Sequence, residues 1–386
     1  MNVLIVRPFP ERLKISAYNV QEIGLAKALR RKGINCDIVF FNGQESDTTQ
    51  IIDNDITIYW LKGVNVFKNG IFFHLKDLIK KYDVIQVHEY DQLQSWFIYS
   101  FSKKPVVIYH GPYYDSFNAR YNIKCKVFDT LFLPFSKRGK ATVKCATKSS
   151  FASDFLRTKG FRDIRTVGVG LNVTSASDDD VLHDSKWNVS SNNFNAVYVG
   201  KIEERRNISF LLDLAEEANK IVADFKLTVV GRFDDSSYRE KIGERFWGLV
   251  KTGVINYVES ASQKELISLY RMADIFLFTT NYDIFGMVLL EAMYYGVVPL
   301  SSINGGSVTL IERGCDGYIF EDYNIDSWIE TIIKLHDDPS LLMTMKRNAH
   351  RKITEGFTWD ALSQQFIEIY KDAIAEVKNG RHNQKN

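Results

Sequence analysis

The sequence predicts an α/β chain of two doubly wound domains facing a central cleft. Three observations predict it. Short strand-like apolar runs alternate with helix-spaced stretches; a polar, aperiodic segment at Thr174–Asn193 interrupts them; the alternation then restarts. The 386 residues match two domains at about 100–200 residues each. An apolar content of 45% excludes a largely disordered chain.

Val3-Leu4-Ile5-Val6 is a continuous apolar run, as a strand buried on both faces requires. A polar loop through Pro8, Pro10 and Ser16 follows. Ile23, Ala26 and Leu29 then recur at helical spacing, and Gly33 stops the helix. Further strands are expected at Cys36–Phe41, Ile56–Trp60, Val84–Val87, Val106–Tyr109 and Ala141–Cys145. In the second half the strands are Ala196–Val199, Lys226–Val230, Val254–Val258, Ile275–Thr279 and Val297–Ser301. Helices lie at Ile208–Asn219 and Lys264–Met272, with another ending at Tyr295. Past Thr358 a final helix carries Leu362, Phe366, Ile369, Ala373 and Val377 on one face. The expected division is 1–172, a linker 173–193, 194–358, and a helix 359–378 packing back on the first domain. In open α/β sheets ligands bind beyond the carboxyl ends of the strands, so a site between two such domains is expected.

The net charge of +2 hides an asymmetry: residues 1–170 hold 26 basic against 15 acidic residues, and the rest of the chain 23 against 32. Such an asymmetry suggests that the two halves face different partners. Cys36, Cys125, Cys145 and Cys315 form no C-x-x-C pair, which excludes zinc ribbons and thioredoxin-like chemistry. Met1–Val6 is too short for a signal peptide, and no apolar run approaches the ~20 residues of a membrane span. A cytoplasmic protein is expected, with association at the inner face of the cell membrane left open.

Chemistry concentrates in two stretches. In Asn281–Pro299 a strand end is followed by Asp283, then Phe285-Gly286-Met287-Val288, then a helix with Glu291 inside an apolar run. Gly286 allows close backbone approach, free amides at a helix start suit a phosphate, and carboxylates suit sugar hydroxyls. The bland alternative is a helix-start acid and a solvated Glu291; burial within Met287–Met293 counts against it. In Tyr198–Asn207 a strand ends at Gly200 and Lys201 and Arg206 follow. Cations there could neutralise a diphosphate leaving group, although a mixed charge run is also what an exposed helix start looks like. His88 and His110 each end a strand, and either could instead be a buried structural residue. No histidine cluster has metal-ligand spacing, so neither metal nor cofactor is expected.

These residues together resemble the retaining glycosyltransferases of family 4, which have the GT-B fold of two Rossmann-like domains. The family's Glu-x7-Glu motif corresponds to Asp283-x7-Glu291, and its Gly-Arg-x4-Lys pattern to Gly200-Lys201-x4-Arg206 with the basic types exchanged. His110 matches the family histidine after an N-domain strand. Gly168–Asn172, Gly305-Gly306 and Gly314–Tyr318 resemble further family segments. The resemblance implies that Asp283 binds donor-sugar hydroxyls, Glu291 the nucleotide ribose, and Lys201 and Arg206 the diphosphate. Gly200 and the amides of Phe285, Gly286, Met287 and Val288 complete the donor pocket, with His110 near the reacting carbon. It also implies transfer with retention, without a metal, from a nucleotide-sugar donor to a glycan or lipid-linked acceptor in surface polysaccharide or glycolipid synthesis. The chain departs from the family at Asp283, one methylene shorter than Glu, at the first loop Glu11–Tyr18, which lacks glycine, and at Thr309, where an acid is common.

Between Ala119 and Ser150 lie Arg120, Lys124, Lys126, Lys137, Arg138, Lys140, Lys144 and Lys148, against one acid, Asp129, with Phe128, Phe132 and Phe135 interleaved. Residues 120–148 therefore read as a contact for an anionic membrane surface, or blandly as a solvated face. Nucleic acid is not expected, because no RRM or KH signature is present. Two other function classes compete. One is a metal-dependent transferase using Asp178-Asp179-Asp180, which sits in the polar linker rather than after a strand. The other is a non-catalytic sugar-nucleotide or glycan-binding protein of the same fold.

Overall fold

The computed structural model describes residues 1–53, 55–172, 187 and 192–382. Most of the expected linker, and with it Asp178–Asp180, lies outside the described residues. The chain forms two compact units, Met1–Asn172 with Phe357–Asn386, and Val173–Gly356.

Among the described residues the first unit holds ten strands: β1 (Asn2–Val6), β2 (Asn35–Phe41), β3 (Thr48–Ile52), β4 (Ile56–Leu61), β5 (Gly63–Val66), β6 (Asn69–Phe72), β7 (Val84–His88), β8 (Val106–His110), β9 (Lys144–Thr147) and β10 (Asp163–Thr166). Eight form one sheet in the order β10-β9-β8-β7-β1-β2-β4-β3, while β5 and β6 make a separate hairpin. All neighbours in the large sheet are parallel except β3 on β4. Val3 to Val6 are fully buried, as a central parallel strand demands. The helix Trp359–His382 packs on the helix Gln21–Arg31 and on β7, β8 and β9. Phe366 meets the Tyr109 ring at 5.4 Å, and Tyr370 donates to Gln86 Oε1 at 2.6 Å.

The second unit holds β11 (Phe194–Val199), β12 (Phe225–Val230), β13 (Ile255–Val258), β14 (Ile275–Phe278), β15 (Val298–Ser302) and β16 (Tyr318–Phe320). Their order, β13-β12-β11-β14-β15-β16, is all parallel and reverses direction between β11 and β14. That is the doubly wound arrangement, whose ligand crevice opens where the order reverses. Its core is anchored by fully buried Trp328, stacked on Phe320 at 4.2 Å and edge-on to Phe210. Replacing such a tryptophan by alanine costs about 3–5 kcal/mol.

Periodicity misplaced one strand and missed others. The strand expected at Ala141–Cys145 begins only at Lys144, because Lys137–Thr142 is helical. The edge strand β3, Thr48–Ile52, is almost wholly exposed, and its sequence carries no alternation to read. Among the described residues no helix is long and apolar enough to cross a membrane.

Candidate active site

Three loops leave the carboxyl ends of β11, β14 and β15 and are tied to one another. Asn281 N–H donates to Arg205 O at 3.0 Å, Arg205 Nη1 to Tyr282 O at 2.6 Å, and Thr279 Oγ1 to Arg206 O at 2.9 Å. Ser302 Oγ and Asn304 Nδ2 both donate to Thr280 O, at 2.8 and 3.3 Å. Backbone carbonyls that would otherwise be orphaned thus fix the loops. Gly286 has φ of +73°, a left-handed value that glycine adopts without a side-chain clash, and it starts the helix Met287–Tyr294. A side chain at Gly306 would meet Phe285 O at 2.2 Å, so only glycine lets the third loop lie on the second.

Within this frame Arg206 and Asp283 come together: Arg206 Nη1 lies 2.7 Å from Asp283 Oδ2. Burial works against the guanidinium's charge, but Asp283, with Tyr198 and Glu203, holds its pKa above the ordinary value. Asp283 Oδ1 accepts from the N–H groups of Phe285 at 3.1 Å and Gly286 at 2.7 Å. Glu291 is buried in the helix that these residues open. Lys201 follows Gly200 but stands apart, 60% exposed and paired with Asp234 at 2.7 Å. Met287 and Val288 are half-buried, while Phe285 is buried.

His110 belongs to the other unit and is fully buried. Phe155 stacks on its ring at 5.6 Å, Tyr90 meets it edge-on, and Nδ1 lies 2.5 Å from Glu89 Oε2. Glu89 was not singled out from sequence, although its place just after β7 was a usable signal. Its backbone has φ of +57°, an uncommon value for a non-glycine residue. Burial pushes its carboxyl up, but His110, Lys148 and the Gly111 amide outweigh that and hold it down to about 2. His88 is buried beside Glu22, at 3.4 Å, and burial lowers it to about 4. Glu89, Asp91 and His110 bring ligand-type atoms within 4.8 Å of one another, a grouping that linear spacing cannot show. Lys124, 3.4 Å from Asp91, and Lys148, 3.7 Å from Glu89, already supply positive charge there.

The basic stretch divides. Lys144 pairs with Asp163 and Glu376, Lys148 sits by Glu89, and Lys140 donates to Lys159 O. Arg120, Lys126 and Lys137 remain exposed, together with Ile123, Val127, Leu131 and Phe135. Phe97 and Phe101 are also exposed, on the helix Leu93–Phe101 that packs against Leu133–Ser136.

A family model described as "Glycosyl transferases group 1" matches residues 182–352. A probable sucrose-phosphate synthase of Thermosipho melanesiensis is 25% identical over 210 residues, 52% of this chain and 45% of that protein. The chain thus spans under half the length of that relative. An uncharacterized glycosyltransferase of Methanocaldococcus jannaschii is 21% identical over 397 residues, 96% of this chain and 98% of that one. Among solved structures, a sucrose-phosphate synthase from Thermosynechococcus elongatus superposes with a TM-score of 0.69 at 17% identity, covering 97% of this chain and all of that one. Anabaena HepE in complex with UDP and glucose gives 0.65 at 15% identity, covering 95% and 98%. Residues 182–352 thus match the group 1 glycosyl transferases, and the chain has the GT-B fold of its structural neighbours.

Proposed function

We propose that this chain transfers a sugar from a nucleoside-diphosphate donor to a glycan or lipid-linked acceptor, with retention of configuration and without a bound metal or cofactor, in surface polysaccharide or glycolipid synthesis. One observation supports this most: Arg206 pairs with Asp283, which also accepts from the Phe285 and Gly286 amides, at strand ends where the order of the second sheet reverses. In this reading Arg206 and Lys201 bind the diphosphate and Glu291 the ribose hydroxyls. Gly200 and the segment Phe285, Gly286, Met287 and Val288 line the donor pocket. Asp283 belongs to the same pocket; in the first unit, His110, with Nδ1 2.5 Å from Glu89 Oε2, is assigned a part in the transfer.

In the step proposed, the bond from the sugar's anomeric carbon to the diphosphate oxygen breaks and a bond from the same carbon to the acceptor oxygen forms on the same face. The acceptor's proton passes to a phosphate oxygen of the leaving group. Negative charge grows on the diphosphate, and a fixed guanidinium stabilises it without reorganisation. Bidentate N–H donors also hold phosphate in one orientation.

Anabaena HepE has been solved with UDP-glucose, which makes UDP-glucose the first donor to try. Turnover or slow hydrolysis of UDP-, GDP- and ADP-sugars, unaffected by EDTA and lost in Glu291→Ala and Arg206→Ala, is the expected result. Donor binding without turnover in the parent chain would instead favour the non-catalytic reading, and a requirement for divalent metal would remove the metal-free one. The exposed aromatics and cations of the first unit favour docking on an anionic bilayer, at about 1 kcal/mol for each basic residue near the surface. Co-sedimentation with phosphatidylserine vesicles should fall in Phe135→Ser/Lys137→Ala, and unchanged sedimentation would end that part.

A further inference from the structure

The family resemblance gives the first acid of the donor loop to the hydroxyls of the transferred sugar. Here that acid is Asp283, and its carboxylate is turned inward. Oδ1 takes the amide hydrogens of Phe285 and Gly286, at 3.1 and 2.7 Å, and Oδ2 takes Arg206 Nη1 at 2.7 Å, with Arg205 Nη1 at 4.0 Å. A carboxylate has about four acceptor positions, so these contacts occupy most of them.

Arg206 is correspondingly constrained. Nη1 reaches Thr280 Oγ1 at 3.3 Å, its carbonyl accepts from Thr279, and its guanidinium lies 5.8 Å from the Phe278 ring centroid. Its side chain is 14% exposed and that of Asp283 16%. A partly buried guanidinium without a counter-ion would turn out to water. The carboxylate that prevents this also caps the backbone entering the helix Met287–Tyr294.

We propose that Asp283 is a positioning residue, the counter-ion that aims Arg206 at the donor's diphosphate and pins the Phe285–Gly286 backbone, and that selection of the sugar falls to other groups of the pocket. The inference rests on the donor reading above, in which Arg206 meets phosphate. Its consequence is specific. A residue that acts through the phosphates influences a nucleoside diphosphate and its sugar conjugate alike, whereas a residue that binds the sugar influences only the conjugate.

The test is titration calorimetry of UDP and UDP-glucose on the full chain and on Asp283→Asn. Asparagine keeps an oxygen for the two amides but sets an NH2 against the guanidinium. Both dissociation constants should move together, by about fivefold or more, with their ratio held within about twofold. Loss of affinity for UDP-glucose alone would return Asp283 to the sugar and overturn the inference, as would two unchanged constants. A parent chain that binds neither UDP nor UDP-glucose would strike instead at the donor reading for this nucleotide, a distinguishable failure. If Asp283→Asn does not fold, Asp283→Ser keeps a capping oxygen without the charge and carries the same comparison.

Discussion

At the carboxyl ends of the first unit's strands, Glu89, Asp91, His88 and His110 are all buried and compensated by Lys124, Lys148 and Glu22. At the matching ends in the second unit, Lys201 stands 60% exposed against Asp234, and Arg206 is half-buried against Asp283. The two sheets put charge in the same topological place and use it differently. Buried, mutually paired charges set stability and its pH dependence. A charge as exposed as that of Lys201 stays available to an anion and contributes little to folding.

The sharpest way to break this contrast is Glu89→Ala. It leaves His110 and Lys148 without their shared carboxylate inside the first unit. Removing one partner of a buried pair costs about 3–5 kcal/mol, so the first unit should unfold at markedly lower urea. UDP affinity of whatever remains folded should be unchanged, and an equal loss of both would mean that the units are not separable in this way.

The next effect comes from pH. The pKa of His88 is lowered to about 4, chiefly by burial, with Lys148 and Arg7 adding and Glu22 and Glu89 opposing. A histidine whose folded pKa lies below its free value takes up its proton first in the unfolded chain. Stability is therefore full above about pH 6.5 and falls as the pH drops towards 4. Between pH 7 and 5 the loss should be about 2 kcal/mol, read from urea midpoints, and absent in His88→Gln. The Glu89 carboxyl is depressed as well, to about 2, and its contribution is also lost as the pH falls. Its contribution is lost between about pH 4.5 and 2, so the two windows overlap only near pH 4.

Lys201→Ala should reverse the pattern. An exposed lysine costs at most about 0.5 kcal/mol of stability when removed. UDP should nonetheless bind about tenfold more weakly, as for a lost charge-assisted phosphate contact. Calorimetry beside thermal melting separates the two.

How much of this could be read beforehand follows the same division. The strands β11, β12, β14 and β15 are mostly apolar and mostly buried, so each was legible as a strand, whereas their order was not. Lys201, Arg206, Asp283 and Glu291 follow strand ends, which flags them. No linear pattern shows that Asp283 folds back on Arg206, because that contact spans 77 residues and depends on how two loops lie. Glu89 escaped for a similar reason: its partners His110, Gly111 and Lys148 come from two later strand ends. The basic stretch misled in part, since composition cannot separate Lys144 and Lys148, which are paired inside, from Arg120, Lys126 and Lys137 at the surface.

The smallest effect sharpens the comparison most finely. Asp234 Oδ2 lies 2.7 Å from Lys201 Nζ, and both side chains are at least half exposed. An exposed pair of this kind contributes about 0–1 kcal/mol, so Asp234→Ala should leave the melting temperature nearly unchanged. The carboxylate nevertheless competes with any phosphate for the ammonium, and its removal leaves the positive field uncancelled. UDP should therefore bind about two- to threefold more tightly in Asp234→Ala, and the gain should shrink as salt is raised, since these charges are screened within about 8–10 Å. A gain that persisted at high salt would mean a packing effect on the loop after β12 instead, and weaker binding would show that Asp234 holds Lys201 in place much as Asp283 holds Arg206.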